Sequence, residues 1–448
     1  MNSLIVKSVK ANGRRLVVDF KCRGQISKFF QTKPFLADYK TTKQFYADYS
    51  VPIQDVPEEI LVIPFLATVL PIVWANHAVI YVDALDETFL ESMKAYKKSL
   101  QKMYPKLSLG GGLIAKRTSK RHVGSKSKNM MLFSGGVDAL TTFIRHRNEQ
   151  LTLVCVHGGD IKTGDNIAWK GAITPIVEFA RNNKIPLRTV RSNFKELVDS
   201  LIIRAYDDCI NENGGWWGRV MHGLAFLGLC APLSYAERDG KLYIASSYTS
   251  DFSGGWGSHP SLDNTVKWAG TDAVHDGYEL SRQEKLFLIS DYVMNIDSRV
   301  VIRSCWDSEI GGNCGHCEKC SRTILGLELA GLDPNRYGFN IKSDTFSNIK
   351  RELLNGGWEF EEDQMFMWGD IKRHAYLKDR IVHPAAKSLI GWLENADLSS
   401  FRTKSRERAR KIDFDRKLNP FFMSLPDPAY RTAKKCYSVV ATRFPFLK

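Results

Sequence analysis

Asn129-Met-Met-Leu-Phe-Ser134-Gly-Gly-Val-Asp138-Ala139-Leu-Thr-Thr-Phe-Ile144 is the stretch from which the rest of the chain is read. Met130 to Phe133 is a short, unbroken apolar run of the kind that forms a strand buried on both faces, and Val137 to Arg145 carries apolar residues at helical spacing. Ser134 to Gly136 is therefore predicted to form a tight strand-to-helix turn. There Gly135 and Gly136 would let the backbone approach a ligand with no Cβ in the way, while the N–H groups and positive dipole end of the helix face outward. Phosphate is the natural occupant. Ser134 adds a hydroxyl donor, and Asp138, in the first helical turn, adds a carboxylate able to hold a cation beside phosphates. Ser134, Gly135, Gly136, Val137 and Asp138 are thus the candidate nucleotide-binding residues. An ordinary turn that happens to carry glycines would look similar; the hydroxyl and the carboxylate tip the reading.

Outward from this turn, strands and helices alternate: Met130 to Phe133, Leu151 to Val156, a helix through Ile167 to Asn182, Leu187 to Val190, a helix from Trp216 to Ala231, and Leu242 to Ala245. That order favours an α/β fold with a parallel sheet and helices on both faces. Ligands of such sheets bind beyond the carboxyl ends of the strands. Those ends carry Ser134 to Asp138, His157-Gly158-Gly159-Asp160, Arg191-Ser192-Asn193 and Ser246 to Thr249. Gly254-Gly-Trp-Gly-Ser-His259-Pro-Ser-Leu-Asp263, followed by His275-Asp276-Gly277, is too rich in glycine, aromatic and ionisable residues for a plain connector and is expected to be the substrate loop. With Asp138, His259 and His275 are the candidate catalytic residues, although a lone histidine is more often a structural one. Ser281-Arg-Gln-Glu284 reads as a capping box at a helix start.

Ahead of the turn, Leu4 to Val9 and Leu16 to Phe20 form a hairpin signal through Asn12-Gly13. Ile60 to Pro64 and Ala78 to Val82 read as strands and Glu87 to Tyr104 as a helix. Residues 1–105 are therefore expected to be a small α+β domain, and 106–128, which combines Gly110-Gly111-Gly112 with Lys116, Arg117, Lys120, Arg121, Lys126 and Lys128 and has little apolar period, a basic linker. Residues 129–335 would be the nucleotide-binding domain. Residues 336–448 turn helical and basic, with Phe346 to Leu354 and Ala385 to Ala396 the clearest helices and Phe401 to Lys417 dense in Arg and Lys.

Four of the nine cysteines crowd into one segment: Cys305, Cys314, Cys317 and Cys320, spaced Cys-x8-Cys-x2-Cys-x2-Cys. Four thiolates so placed can close a tetrahedron around Zn2+, leaving no open position for water, so the metal would be structural. An iron–sulfur cluster is the other option, and His316 a competing ligand. The odd cysteine count argues against a disulfide framework. A net charge of +14 over 448 residues suggests an anionic partner. No signal peptide is evident, and Ile60 to Trp74 is too short to span a bilayer and is broken by Pro64 and Pro71. These points favour a cytoplasmic protein; they carry no sign of oligomeric state.

Ser134-Gly-Gly-Val-Asp138 resembles the Ser-Gly-Gly-x-Asp-Ser signature of the PP-loop ATP pyrophosphatase superfamily, with Ala139 in the last place. The resemblance implies a sheet of the HUP type, ATP and Mg2+ at these residues, cleavage between the α and β phosphates, and adenylation of a substrate. With Ala139 one hydroxyl contact to pyrophosphate is missing. The four cysteines downstream of such a loop resemble the 7-cyano-7-deazaguanine synthase family over about residues 129–335. That likeness implies a ligase-like enzyme acting on an anionic small-molecule carboxylate. A looser likeness in overall plan is to the ATP-dependent epimerases of the UDP-muramoyl-dipeptide terminal glutamate, which would make the protein an isomerase. A nucleotide-binding scaffold subunit of a multi-protein defence system and a tRNA-modifying PP-loop enzyme are the remaining alternatives. Nucleic acid ranks below a small acid as partner, because no RNA-binding module is recognisable.

Overall fold

The computed structural model describes residues 2–30, 43–121, 128–198, 201–210, 215–296, 299–305 and 309–423. Two compact units divide the chain, Met1–Cys314 and Gly315–Lys448. The first is built on one 11-stranded sheet. In chain order its strands are β1 (Ser3–Asn12), β2 (Arg15–Arg23), β3 (Lys43–Tyr49), β4 (Val79–Asp86), β5 (Gly112–Ser119), β6 (Lys128–Leu132), β7 (Gln150–His157), β8 (Leu187–Ser192), β9 (Asp239–Ala245), β10 (Lys267–Trp268) and β11 (Thr271–Asp276). Across the sheet they run β10-β11-β9-β6-β7-β8-β3-β2-β1-β4-β5.

The stretch β11-β9-β6-β7-β8 is parallel throughout. The chain begins this part at β6 in its middle, steps outward to β7 and β8, then returns to lay β9 on the other side of β6. Strand order therefore reverses between β6 and β9. A crevice opens beyond the carboxyl ends of strands wherever two neighbours send their connections in opposite directions, and that is where ligands of such sheets bind. The expected strand–helix alternation is present, with helices Val137–His146, Asn166–Asn182 and His222–Leu229 among the connections. In β7 five successive residues from Leu151 to Cys155 are buried, so that strand is covered on both faces.

Residues 1–105 contribute β1 to β4 to this same sheet. The hairpin at Asn12-Gly13 forms as predicted, with Gly13 at φ +56°. Ile60 to Pro64 is not a strand. It falls in two helices, Glu58–Leu61 and Ile63–Ala75, the second with proline in its first turn and Pro71 inside. Every residue of Ile63–Ala75 is buried, so its apolar run has no period to separate helix from strand. Nor is the span 106–128 a bare connector: Gly112–Ser119 forms β5, parallel to β4. The helix expected from Trp216 opens with a π turn, Trp217–Met221.

In the second unit helices Glu318–Leu329, Thr345–Asn355, Glu362–Arg373, Pro384–Asn395 and Leu398–Met423 follow one another. Trp368, Phe360, Phe401 and Leu393 supply its core. The expected helical character of the C-terminal region is thus present over the described residues. Arg443 to Lys448 and Cys436 lie outside them.

Candidate functional site

The glycine turn sits at the reversal of strand order. β6 ends at Leu132 and the next helix begins at Val137, with Gly136 extended at its N-cap and Gly135 at φ +72°. A Cβ on Gly135 would come 3.3 Å from Ile176 Cγ1, so strain and space together hold the position to glycine. The Ser134 hydroxyl accepts from the Gly136 N–H at 3.3 Å, and the Gly135 carbonyl accepts from the Arg303 N–H at 2.8 Å. These bonds fix the turn.

Two cations gather on Asp138 that the sequence reading had not singled out. Lys285 Nζ donates to Asp138 Oδ1 at 3.1 Å and also to the Ser246 carbonyl at the end of β9, while Arg282 Nη1 lies 3.4 Å from Asp138 Oδ2. The Lys285 side chain is 1% exposed and that of Arg282 9%. Both stand on the helix Arg282–Asn295, whose Ser281/Glu284 capping box forms as predicted. A buried ammonium survives only with a carboxylate beside it, and Asp138 fills that role. The two cations are thus bonded to the first turn of the helix that the glycine turn opens, and Lys285 also to the residue that follows β9. They are 147 and 144 residues from Asp138 in the chain, and the only local signal was an Arg inside the capping box and a Lys just after it, placed i,i+3.

The two candidate histidines stand in different surroundings. His259 caps the short helix Pro260–Asp263, its Nδ1 taking the Ser261 N–H at 3.1 Å, and its Nε2 lies 3.0 Å from the Tyr278 hydroxyl. Burial, with His275 nearby, holds its pKa below the ordinary value. His275, near the end of β11, faces Asp263: Nδ1 to Oδ2 is 2.8 Å, and the Ser258 hydroxyl donates to the same oxygen at 2.6 Å. Both side chains of that pair are buried, and His275 Nε2 has no protein hydrogen-bond partner. Asp263 thereby selects the tautomer with the proton on Nδ1, leaving Nε2 as an acceptor. At the end of β7, His157 stacks on Trp169 with ring centroids 4.5 Å apart and donates from Nε2 to the Lys162 carbonyl.

The Gly-rich loop is clamped to the π turn. A Cβ on Gly218 would meet Trp256 at 2.8 Å, and one on Gly223 would meet Asp263 Oδ1 at 2.3 Å. Arg219, itself buried, donates to the Gly255 carbonyl. Small residues on both sides are what let the loop lie this close.

Cys305, Cys314, Cys317 and Cys320 bring their sulfur atoms within 4.8 Å of one another. Zinc bound tetrahedrally to four thiolates at about 2.3 Å needs sulfurs about 3.8 Å apart, so the cluster could hold such an ion with little movement. The Asn313 side chain ties the segment down: its Oδ1 accepts from the N–H groups of Ser304 and Cys305 and its Nδ2 donates to the Ile302 carbonyl. Gly315, at φ +79°, makes the turn between the second and third cysteines. Cys317 is the N-cap of helix Glu318–Leu329, accepting from the Cys320 N–H at 3.4 Å. His316 is exposed and belongs to no such cluster. Compared with protein-family models, with curated proteins and with solved structures, the chain matches none.

Proposed function

We propose that the turn Ser134–Asp138 binds ATP and that the protein adenylates a small-molecule carboxylate, releasing pyrophosphate. The observation that carries this reading is the coincidence, at one crevice, of a glycine turn opening a helix and a buried Lys285–Asp138–Arg282 cluster. A triphosphate needs N–H donors at close range and fixed positive charge, and this crevice offers both. In the reaction a carboxylate oxygen of the substrate attacks the α-phosphorus, the bond to the β-phosphate oxygen breaks, and pyrophosphate leaves. Backbone N–H groups at the helix start hold the phosphates, and Lys285 and Arg282 meet the charge that grows on the leaving group. Asp138, 21% exposed at its side chain, holds the two cations in place and retains room to share Mg2+, which would screen the phosphates. The acyl-adenylate so formed is open to amide or nitrile formation, or to loss of its α-proton. Of the two histidines, His275 has the ring nitrogen without a protein hydrogen-bond partner, and that nitrogen is buried among protein atoms, so the base for such a step is left unassigned. The four-cysteine cluster, with zinc, would hold its own segment in shape.

Incubation of the protein with ATP, Mg2+ and a pool of cellular acids tests the proposal. AMP and pyrophosphate are the expected products; ADP alone would sink it. Gly135→Val should abolish turnover while leaving the metal content unchanged. A second reading, nucleotide binding without turnover in a scaffold subunit, is favoured by the apolar, buried Ala139 at the first helical turn. Tight ATP binding with neither AMP nor ADP formed would select it.

A further inference from the structure

Among the described residues of the first unit, the amino-terminal strands leave one face of the sheet open. Residues alternate sharply across β3-β2-β1-β4: Leu16, Val18 and Phe20 of β2 and Phe45 and Ala47 of β3 are fully buried, while Arg15, Lys21 and Arg23 are exposed. The buried side is roofed by the helix Ile63–Ala75, whose Phe65 ring lies 4.8 Å from that of Phe20 and 5.8 Å from that of Phe45. On the opposite side no helix of the first unit covers these strands among the described residues. None of Lys10, Val17, Lys21, Tyr46 or Tyr81 is buried there. In the antiparallel stretch β3-β2-β1 one face on the core and one in solvent is the common arrangement, so it is the chemistry of this face that bears on what it does.

The chemistry of this face is specific. It carries Lys10, Arg15, Lys21, Arg23 and Lys116 against Asp19, Asp48 and Asp83. Each acid is already engaged: Asp48 with Arg15 at 3.0 Å, Asp83 with Lys116 at 2.5 Å, and Asp19 with the Ser8 hydroxyl at 2.8 Å and the Gln44 amide at 3.0 Å. Among the described residues Lys10, Lys21 and Arg23 pair with no carboxylate. Two half-buried tyrosines, Tyr46 and Tyr81, stand on β3 and β4, the first with the Arg15 guanidinium 4.7 Å from its ring centroid. Ile114, opposite Tyr81 on β5, is 48% exposed.

We propose that this open face binds a single-stranded nucleic acid segment. Separated aromatic rings on a flat pleated surface can stack unpaired bases, and unpaired lysines between them can neutralise the backbone. A duplex would offer the phosphates but hide the base faces. The inference stands apart from the ATP reading: it concerns the other half of the sheet, and either can fail without the other.

The test is fluorescence anisotropy of the full chain with a labelled RNA of about twelve nucleotides, the matching DNA single strand and the duplex, over a range of KCl. Single strands should bind more tightly than the duplex; the RNA and DNA arms tell which sugar is preferred. Lys10→Glu with Lys21→Glu should weaken binding at least ten-fold and make the slope of log K against log[KCl] shallower by about 1.4, two phosphates' worth. Tyr46→Ala and Tyr81→Ala should each cost about five-fold or more with little change in that slope. Lys404→Glu with Arg410→Glu, in the second unit, should leave binding as it was. Thermal unfolding of each variant separates lost binding from lost fold. No binding at low salt, equal binding of the duplex, equal loss from the second-unit pair, or full displacement by polyglutamate of matched charge would each overturn the proposal.

Discussion

Gly158 has no room for a side chain. At φ +117° a Cβ there would lie 1.9 Å from the Ser192 carbonyl oxygen, backbone that cannot step aside. Gly158→Ala should therefore destabilise the protein by about 2 kcal/mol or more, read as a lower urea midpoint. His146 sets a pH dependence. Its Nδ1 lies 2.7 Å from Glu149 and its Nε2 3.1 Å from Asp276, and the Asp276 hydrogen bond, ahead of that to Glu149, raises its pKa against the opposing effect of burial. With the folded value raised, the stability it contributes is complete below about pH 6.5, the unfolded value, and is lost as pH rises through the folded one. The gap in melting temperature between the wild type and His146→Gln should thus be wider at mildly acidic pH than at pH about 9; a gap that grows with pH would contradict the assignment. Asp138 links site and fold. Because it is the counter-charge of a buried lysine, Lys285→Met should cost less stability in an Asp138→Asn background than in the wild type.

At the scale of elements, the cysteine segment gives the sharpest expectation. Serine at Cys305, Cys314, Cys317 or Cys320 should remove bound zinc and lower the melting temperature together, since metal binding and folding are coupled. The same change at the half-buried Cys22 or Cys209 should leave zinc content intact. Zinc well under half an equivalent in fresh, unchelated protein, with no iron, would end that reading. The segment was legible because ligand spacing is a local property, written in sixteen consecutive residues. So was the glycine turn, since a strand, two glycines and a helix start follow one another directly. Ile60 to Trp74 was misread at its start for the converse reason: a helix buried all round shows no period, and its prolines mark a first turn as readily as a break. β5 was missed because an exposed edge strand needs few apolar residues. Lys285 and Arg282 reach Asp138 only through the return of β9 to the far side of β6, which no local pattern announces.

Over the first unit as a whole, the all-parallel stretch β11-β9-β6-β7-β8 joins the amino-terminal strands at one seam, the antiparallel pair β3 and β8, where only Ala47, Asp48 and Tyr49 are in register with Ser192, Arg191 and Val190. Side chains extend it: Asn193 Oδ1 accepts from the Tyr46 N–H at 2.9 Å, its Nδ2 donates to the Gln44 carbonyl at 3.0 Å, and the Ser192 hydroxyl donates to the Tyr46 carbonyl at 2.6 Å. Asn193→Ala leaves two backbone groups without these partners and should cost about 1–3 kcal/mol. Hydrogen exchange should then quicken first at β3 and β8, and uniform protection would show the seam to be unimportant. The sheet also has an end. β5 is a terminal strand with Ile114, Lys116 and Arg117 exposed, a row of backbone groups that any extended chain could join. The two cations there act as a guard, since a second strand laid alongside would have to bury or oppose them. Colloidal behaviour follows from this: substituting neutral residues at Lys116 and Arg117 should leave the monomer folded yet let molecules add edge to edge, so that light scattering rises with concentration and the effect is strongest at low salt, where like charges repel over the longest range.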